Sequence, residues 1–140
     1  MKFEKAKDLI KHAAAIQKTH KERMRELDKC EDDLCDSKSS NVNDTIRLVQ
    51  KDIEESKREQ LALYNEANKV IKLVNKLEPK YAKILKLLYV DGMRLKEVQI
   101  ETGYSQSSVS RFRDEALRLF CTKYNETKII LLGYDLSEEV

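Results

Sequence analysis

The 140-residue sequence has little glycine, proline or aromatic content and no tryptophan. Three glycines and one proline are too few for the many tight turns of a β-sandwich or barrel. Charged residues, in contrast, make up 37% of the chain, whereas about a quarter is usual. A highly charged chain with few helix breakers is typical of long helices with exposed faces. The composition therefore predicts an all-α protein, either one domain or a small domain with an extended element.

Long apolar runs are also missing from the sequence. No run exceeds four residues, whereas a membrane-spanning helix needs about twenty and a signal peptide about seven to fifteen. We therefore expect a cytoplasmic protein with no membrane partner.

The three cysteines do not indicate a disulfide framework, because their number is odd. Cys30 and Cys35 lie five positions apart, which fits no common zinc spacing, and His12 and His20 lie far upstream. We expect reduced thiols, no metal site and no cofactor.

The first half of the sequence contains two long patterns in which apolar positions recur every three or four residues, as in a coiled coil. The first pattern comprises Phe3, Ala6, Ile10, Ala13, Gln17, His20, Met24, Leu27, Glu31 and Leu34. The second comprises Ile46, Val49, Ile53, Ser56, Gln60, Leu63, Ala67, Val70, Val74 and Leu77. A polar segment from Asp36 to Asn43 separates them and is predicted to form a loop. Residues 1–78 are therefore predicted to form a long antiparallel helical hairpin for oligomerisation or partner contact.

Pro79 marks the next boundary, because proline suits the first turn of a helix and restricts the residue before it. A helix is predicted over residues 80–90, with an apolar face of Tyr81, Ile84, Leu85, Leu88 and Tyr89. Asp91-Gly92 ends that helix. At the other end of the chain, residues 129–140 form an apolar tail. It is expected to pack locally, with pairing to another chain or extension over the hairpin as the alternatives.

Residues 79–128 are predicted to form a helix-turn-helix DNA-binding domain. Gly103-Tyr104-Ser105 supplies a residue able to take positive φ, an apolar residue for the core and a serine helix cap. Two short amphipathic patterns flank this link. Their apolar residues are Leu95 and Val98 before the link, and Val109, Phe112, Ala116 and Leu119 after it. This is the order of elements in a helix-turn-helix.

The second helix, over residues 106–120, is the expected reader of the DNA major groove. With its apolar face inward, the opposite face presents four polar side chains able to bond base edges. The candidate base-reading residues are Gln106, Ser107, Ser110 and Arg111. The candidate phosphate contacts are Arg94, Lys96, Arg113, Arg118 and Lys123. The charge distribution agrees, because residues 79–128 hold ten basic and six acidic residues while the whole chain carries only +2.

At these positions the sequence resembles the fourth region of bacterial sigma factors, a helix-turn-helix that binds the −35 promoter element. The resemblance covers about residues 80–120. It rests on the helix preceding Gly92, and on Leu95, Val98, Gly103-Tyr104-Ser105, Ser108-Val109 and Ala116-Leu117. The whole chain looks like small phage-encoded regulators of Gram-positive bacteria, of the autolysin-regulator and late-gene-activator type. The resemblance implies a transcription regulator that binds double-stranded DNA, with RNA polymerase as a further partner and the hairpin as the site of homo-oligomerisation.

Two other functions remain open at the level of the sequence. The first is an interaction adaptor, in which the helix-turn-helix contacts RNA polymerase or another phage protein. The second is a small terminase-like subunit that recognises viral DNA for packaging. An enzyme is not expected, because the sequence has no Cys-His or Ser-His-Asp pattern and no phosphate-binding glycine loop. No catalytic residue is therefore assigned.

Overall fold

The structure is a computed structural model that describes residues 3–36 and 43–138. Within these ranges the chain is built from five α-helices and contains no β-strand. The prediction of an all-α protein is therefore confirmed. The helices are α1 (Glu4–Asp36), α2 (Asn43–Asn75), α3 (Pro79–Leu85), α4 (Leu95–Thr102) and α5 (Gln106–Glu126). None of the described helices combines the length and apolar character needed to cross a membrane.

Helices α1 and α2 lie side by side and run in opposite directions. Gln17 Nε2, near the middle of α1, donates a hydrogen bond of 2.8 Å to Asn68 Oδ1. Further along α1, Lys57 Nζ donates to Glu31 Oε2 at 3.1 Å, so residue numbers rise in one helix as they fall in the other. Residues 37–42 of the loop predicted between the two helices lie outside the described residues.

Burial along this pair of helices is uneven. Leu9, Ile10 and Ala13 of α1 are fully buried, whereas between residues 15 and 66 Ile53 is the one described side chain that is buried. Two helices alone cover only one face of each other, so the far half of the pair buries little. Val49, expected in the seam, is accordingly 39% exposed. Leu9, absent from the predicted seam, is buried because the first half of α1 also packs against residues 86–90 and α5.

The main hydrophobic core joins α1, α2, α3, α5 and the C-terminal tail. Its largest fully buried side chains are Phe120, Leu9, Ile10, Leu85, Leu117 and Leu136. A second, smaller core of Ile84, Leu87, Val98 and Val109 lies between α3, α4 and α5. The second core holds α4 against the rest of the molecule.

The predicted helix over residues 80–90 changes its geometry partway. It is α-helical to Leu85 and continues as a wider π-helical turn over Lys86–Val90, closed by a hydrogen bond of 2.8 Å from the Asp91 N–H to the Lys86 carbonyl. Leu87 follows Ile84 by three residues and is buried with it in the second core. The predicted apolar face omitted Leu87. Gly92 then adopts φ +69° and ends the turn.

The C-terminal tail packs within the chain through one tyrosine. The Tyr124 hydroxyl accepts a hydrogen bond of 2.6 Å from the Leu131 N–H and donates one of 2.6 Å to the Tyr134 carbonyl. Asn125 Nδ2 adds a hydrogen bond of 3.2 Å to the Leu136 carbonyl. Leu131 and Leu136 are buried in the main core as a result. Tyr134 also meets His12 of α1 edge-on, so the tail contacts both α5 and α1.

Candidate nucleic-acid interface

Helices α4 and α5 are joined by the three residues Gly103-Tyr104-Ser105. Gly103 takes the left-handed conformation with φ +76°, and its N–H donates 2.8 Å to the Gln99 carbonyl to close α4. No atom lies within 4 Å of where a Cβ would be, so the glycine is needed for its conformation and not for space. The direction of the chain between the two helices therefore depends on this residue.

Ser105 begins α5 as its N-cap. Its Oγ accepts a hydrogen bond of 3.2 Å from the Ser108 N–H and satisfies one of the free donors at the helix start. The helix begins at Gln106, where the sequence predicted it, but continues past residue 120 to Glu126. The additional turns carry Tyr124 and so provide the anchor for the tail.

The second core fixes α4 relative to the start of α5. Val98 of α4 and Val109 of α5 are both fully buried there. Tyr104 was expected to enter the core, but it is 38% exposed and meets the Phe112 ring edge-on, with ring centroids 5.2 Å apart. Phe112 is itself only partly buried, and the Tyr104 ring shields part of it from solvent. The aromatic residue of the turn thus covers the core without being part of it.

The four candidate base-reading residues lie together on the first two turns of α5. Gln106, Ser107 and Arg111 are exposed, and Ser110 is half-buried. Their positions in the helix, i, i+1, i+4 and i+5, place them on one face. The Arg111 guanidinium lies 5.3 Å from the centre of the Phe112 ring. The exposed end of α5 therefore presents one amide, two hydroxyls and one guanidinium to the surroundings.

The five candidate phosphate contacts fall into three groups. Arg94 and Lys96 are exposed at the start of α4. Arg113 is only 18% exposed and its Nε lies 3.1 Å from Asp114 Oδ1. Lys123 is half-buried in the last turn of α5, about 25 Å along the helix axis from Gln106 at 1.5 Å per residue.

Arg118 forms a bidentate ion pair with the Glu115 carboxylate. Its Nε donates 3.2 Å to Glu115 Oε2, and its Nη2 bonds Glu115 Oε1. These hydrogen bonds lower the pKa of Glu115 and raise the pKa of Arg118, so both groups stay charged at neutral pH. Of the five candidates, Arg113 and Arg118 are thus each paired with an acid. Arg94 and Lys96 lie exposed at the start of α4.

A groove of about 860 Å³ lies beside the exposed face of α5. Its lining comprises Phe3, Lys7, Tyr81, Arg111, Phe112, Arg113, Asp114, Glu115 and Arg118. Lys80 caps the groove's aromatic side, with its Nζ 4.8 Å from the Tyr81 ring centre and 4.6 Å from that of Phe112. Phe3 and Lys7 were not anticipated here. No local pattern could have placed them beside α5, because more than a hundred residues separate them.

Comparison with known proteins gives no relative for this arrangement. No family model, no curated protein and no solved structure matches the chain. Among residues 3–36 and 43–138, no group of three or more His, Cys, Asp or Glu side chains is placed to hold a metal ion. The function of the surface must therefore be inferred from its own residues.

Proposed function

We propose that the chain is a sequence-specific, double-stranded-DNA-binding transcription regulator in which α4, the Gly103–Ser105 turn and α5 act as a helix-turn-helix. The observation that carries this proposal is the division of α5 into two faces. Val109 and Ala116 are fully buried, while Gln106, Ser107 and Arg111 are exposed on the first two turns. A recognition helix reads the major groove with its N-terminal residues, which is where these side chains lie.

The chemistry of the exposed face suits base edges. Glutamine can bond adenine in two places, arginine can do the same with guanine, and serine can bond either. Arg111 is the exposed guanidinium of the four candidates, so it is assigned to guanine. Ser107 and Ser110 are small and allow the helix axis to approach the bases closely.

The start of α4 supports contact with the DNA backbone. Arg94 precedes the helix and Lys96 lies in its first turn, and both are exposed. Positive charge at a helix N-terminus is unfavourable for the helix itself, because it opposes the helix dipole. Arg94 and Lys96 therefore do not stabilise α4, but they are well placed to bind phosphate, since the first helix of such a unit crosses the DNA backbone.

The pairing of α1 with α2 supports a role in assembly. We interpret it as an antiparallel hairpin whose far half, which buries little of its own surface, packs against a second copy or a partner protein. Two copies at fixed spacing would bind two half-sites, and avidity would then raise the affinity of a short recognition unit. The sigma-like resemblance of residues 80–120 adds the proposal that the chain regulates phage or prophage genes at a promoter, together with RNA polymerase.

Substitution of Arg111 tests the assignment of base reading. On a duplex selected from a random pool, Arg111→Ala should weaken binding by about 1–3 kcal/mol, roughly 5- to 150-fold, by loss of a base contact. Lys96→Ala should weaken binding to all duplexes by a similar factor, because phosphate contacts carry no sequence information.

Lys72→Ala is the matched control, since Lys72 is exposed in the last turn of α2, outside the far half of the hairpin. Fluorescence anisotropy at two salt concentrations measures all three variants. Equal affinity of wild type and Arg111→Ala for the selected duplex would remove Arg111 from the reading face.

A protein-interaction adaptor is the second candidate, and one observation favours it. Ile100 of α4 is 86% exposed, and contact with DNA gives no reason for a large apolar side chain there. In this alternative the same unit contacts RNA polymerase or another phage protein. A stable complex with polymerase that Ile100→Ser disrupts, together with no salt-dependent DNA binding, would favour the adaptor.

A further inference from the structure

Two adjacent apolar side chains are exposed at the start of the C-terminal tail. Ile129 is 53% exposed and Ile130 is 58% exposed. Hydrogen bonds hold this segment on both sides, from the Ile129 N–H to Thr127 Oγ1 at 3.3 Å and from the Leu131 N–H to the Tyr124 hydroxyl at 2.6 Å. The backbone of this segment is therefore fixed, and the two isoleucine side chains stay exposed to solvent. Leu131, which follows them, is buried.

A small apolar slot lies between this segment and the end of α2. Its volume is about 170 Å³, the volume of about six water molecules at roughly 30 Å³ each. Its apolar lining comes from Leu73, Ile129 and Leu131. A slot of this size has room for one large apolar side chain.

Positive charge lines the α2 side of the slot. Lys69, Lys72 and Lys76 line it, and their spacing of three and four residues places them on one face of α2. All three are exposed, as is Lys128 beside Ile129. Among the described residues that line the slot, none is acidic. We call Lys69, Lys72, Lys76, Lys128, Ile129 and Ile130 the lysine–isoleucine surface.

We propose that the lysine–isoleucine surface docks an acidic peptide segment of a partner protein, which inserts one apolar side chain into the slot. Carboxylates of such a segment complement the lysines, and the apolar side chain covers Ile129 and Leu73. An exposed apolar patch rimmed by charge is typical of protein-interaction sites. A nucleic acid would pair its phosphates with the lysines, but it fits less well because the isoleucines and the apolar lining offer sugars and phosphates no hydrogen bonds. This docking is independent of DNA recognition by α5.

Selection from a random twelve-residue peptide library displayed on phage, with the full chain as target, tests the proposal. The enriched peptides should combine several Asp or Glu residues with a Leu, Ile or Phe. A fluorescein-labelled copy of the most enriched peptide is then measured by fluorescence anisotropy. Ile129→Ser/Ile130→Ser should weaken its binding at least tenfold, and so should Lys69→Glu/Lys72→Glu/Lys76→Glu. The second variant leaves the tail intact, so loss of tail packing cannot explain a shared result.

Two exposed residues elsewhere provide matched controls. Ile100→Ser on α4 and Lys51→Glu on α2 should leave the affinity within twofold of wild type. The same peptide with every Asp and Glu changed to Asn and Gln should bind at least tenfold more weakly.

Four results would each overturn the proposal. They are the absence of any enriched peptide, enrichment of basic or neutral peptides, affinity that neither surface variant changes, and displacement of the peptide by a twelve-base-pair duplex. A change of oligomeric state in Ile129→Ser/Ile130→Ser, seen by light scattering, would instead assign the surface to a second copy of the chain and would also overturn it.

Discussion

Removing one hydroxyl group, in the variant Tyr124→Phe, should weaken the attachment of the C-terminal tail to α5. The ring is 2% exposed and a phenylalanine fills the same space, so the change affects hydrogen bonds and not packing. The hydroxyl accepts from the Leu131 N–H and donates to the Tyr134 carbonyl, both at 2.6 Å. After the substitution, the buried Leu131 N–H loses this acceptor.

The expected cost follows from that lost acceptor. A buried donor left without a partner costs about 1–3 kcal/mol. For a chain of this size, each kcal/mol lowers the Tm by about 4 °C. Tyr124→Phe should therefore lower the Tm by about 4–12 °C, and the Leu131 amide should exchange its hydrogen faster than in wild type.

Thermal unfolding followed by circular dichroism measures this effect, with Tyr134→Phe as the control. Tyr134 enters the tail's hydrogen bonds through its backbone carbonyl, which this substitution keeps. The control should stay within about 0.5 kcal/mol of wild type. If Tyr124→Phe behaves like Tyr134→Phe, and exchange at Leu131 is unchanged, the hydroxyl does not hold the tail.

Three further predictions concern the turn and the core. Gly103→Ala should cost about 1–2 kcal/mol of unfolding free energy in urea, because Gly103 has φ +76°, and Gly103→Asn should cost less because asparagine tolerates that conformation; equal stability of Gly103→Ala and wild type would contradict this. Ser105→Ala should cost about 1 kcal/mol through loss of the bond to the Ser108 N–H, whereas Ser110→Ala should change little; an equal effect of the two would rule out the cap. Burial raises the pKa of Tyr89 from 10.0 to about 12, so the folded chain holds that proton more tightly than the unfolded chain, and stability present below pH 10 should be lost between pH 10 and 12. The free energy of unfolding, measured in urea, should fall less steeply with pH across that range in Tyr89→Phe than in wild type. An identical dependence on pH in the two proteins would refute the raised pKa.

Features that depend on neighbouring residues could be predicted from the sequence. The shortage of breakers indicated an all-helical chain, and Pro79, Gly92 and Gly103 lie at helix boundaries in the structure. Ser105 caps α5 as its position before an amphipathic pattern suggested. Such features are local, because backbone conformation and capping are decided within a few residues.

Features that depend on distant residues could not be predicted. The pairing of Tyr124 with Leu131 and Tyr134 requires the tail to turn back on α5, which no periodicity encodes. Lys7 is 8% exposed and lines the groove beside α5, although a lysine near the start of a helix reads as a surface residue. Arg113 and Arg118 were assigned to phosphate by their charge alone, although their acidic partners Asp114 and Glu115 lie only one and three positions away in the sequence.

The proposal that α5 reads DNA is tested most directly by selecting bound duplexes from a random pool with wild type and with Arg111→Ala in parallel. Wild type should enrich a short shared motif, and its binding should weaken as salt is raised. Arg111→Ala should enrich the same motif with one guanine position relaxed to any base. No enriched motif with wild type, or an identical motif from both proteins, would contradict base reading by Arg111 on α5.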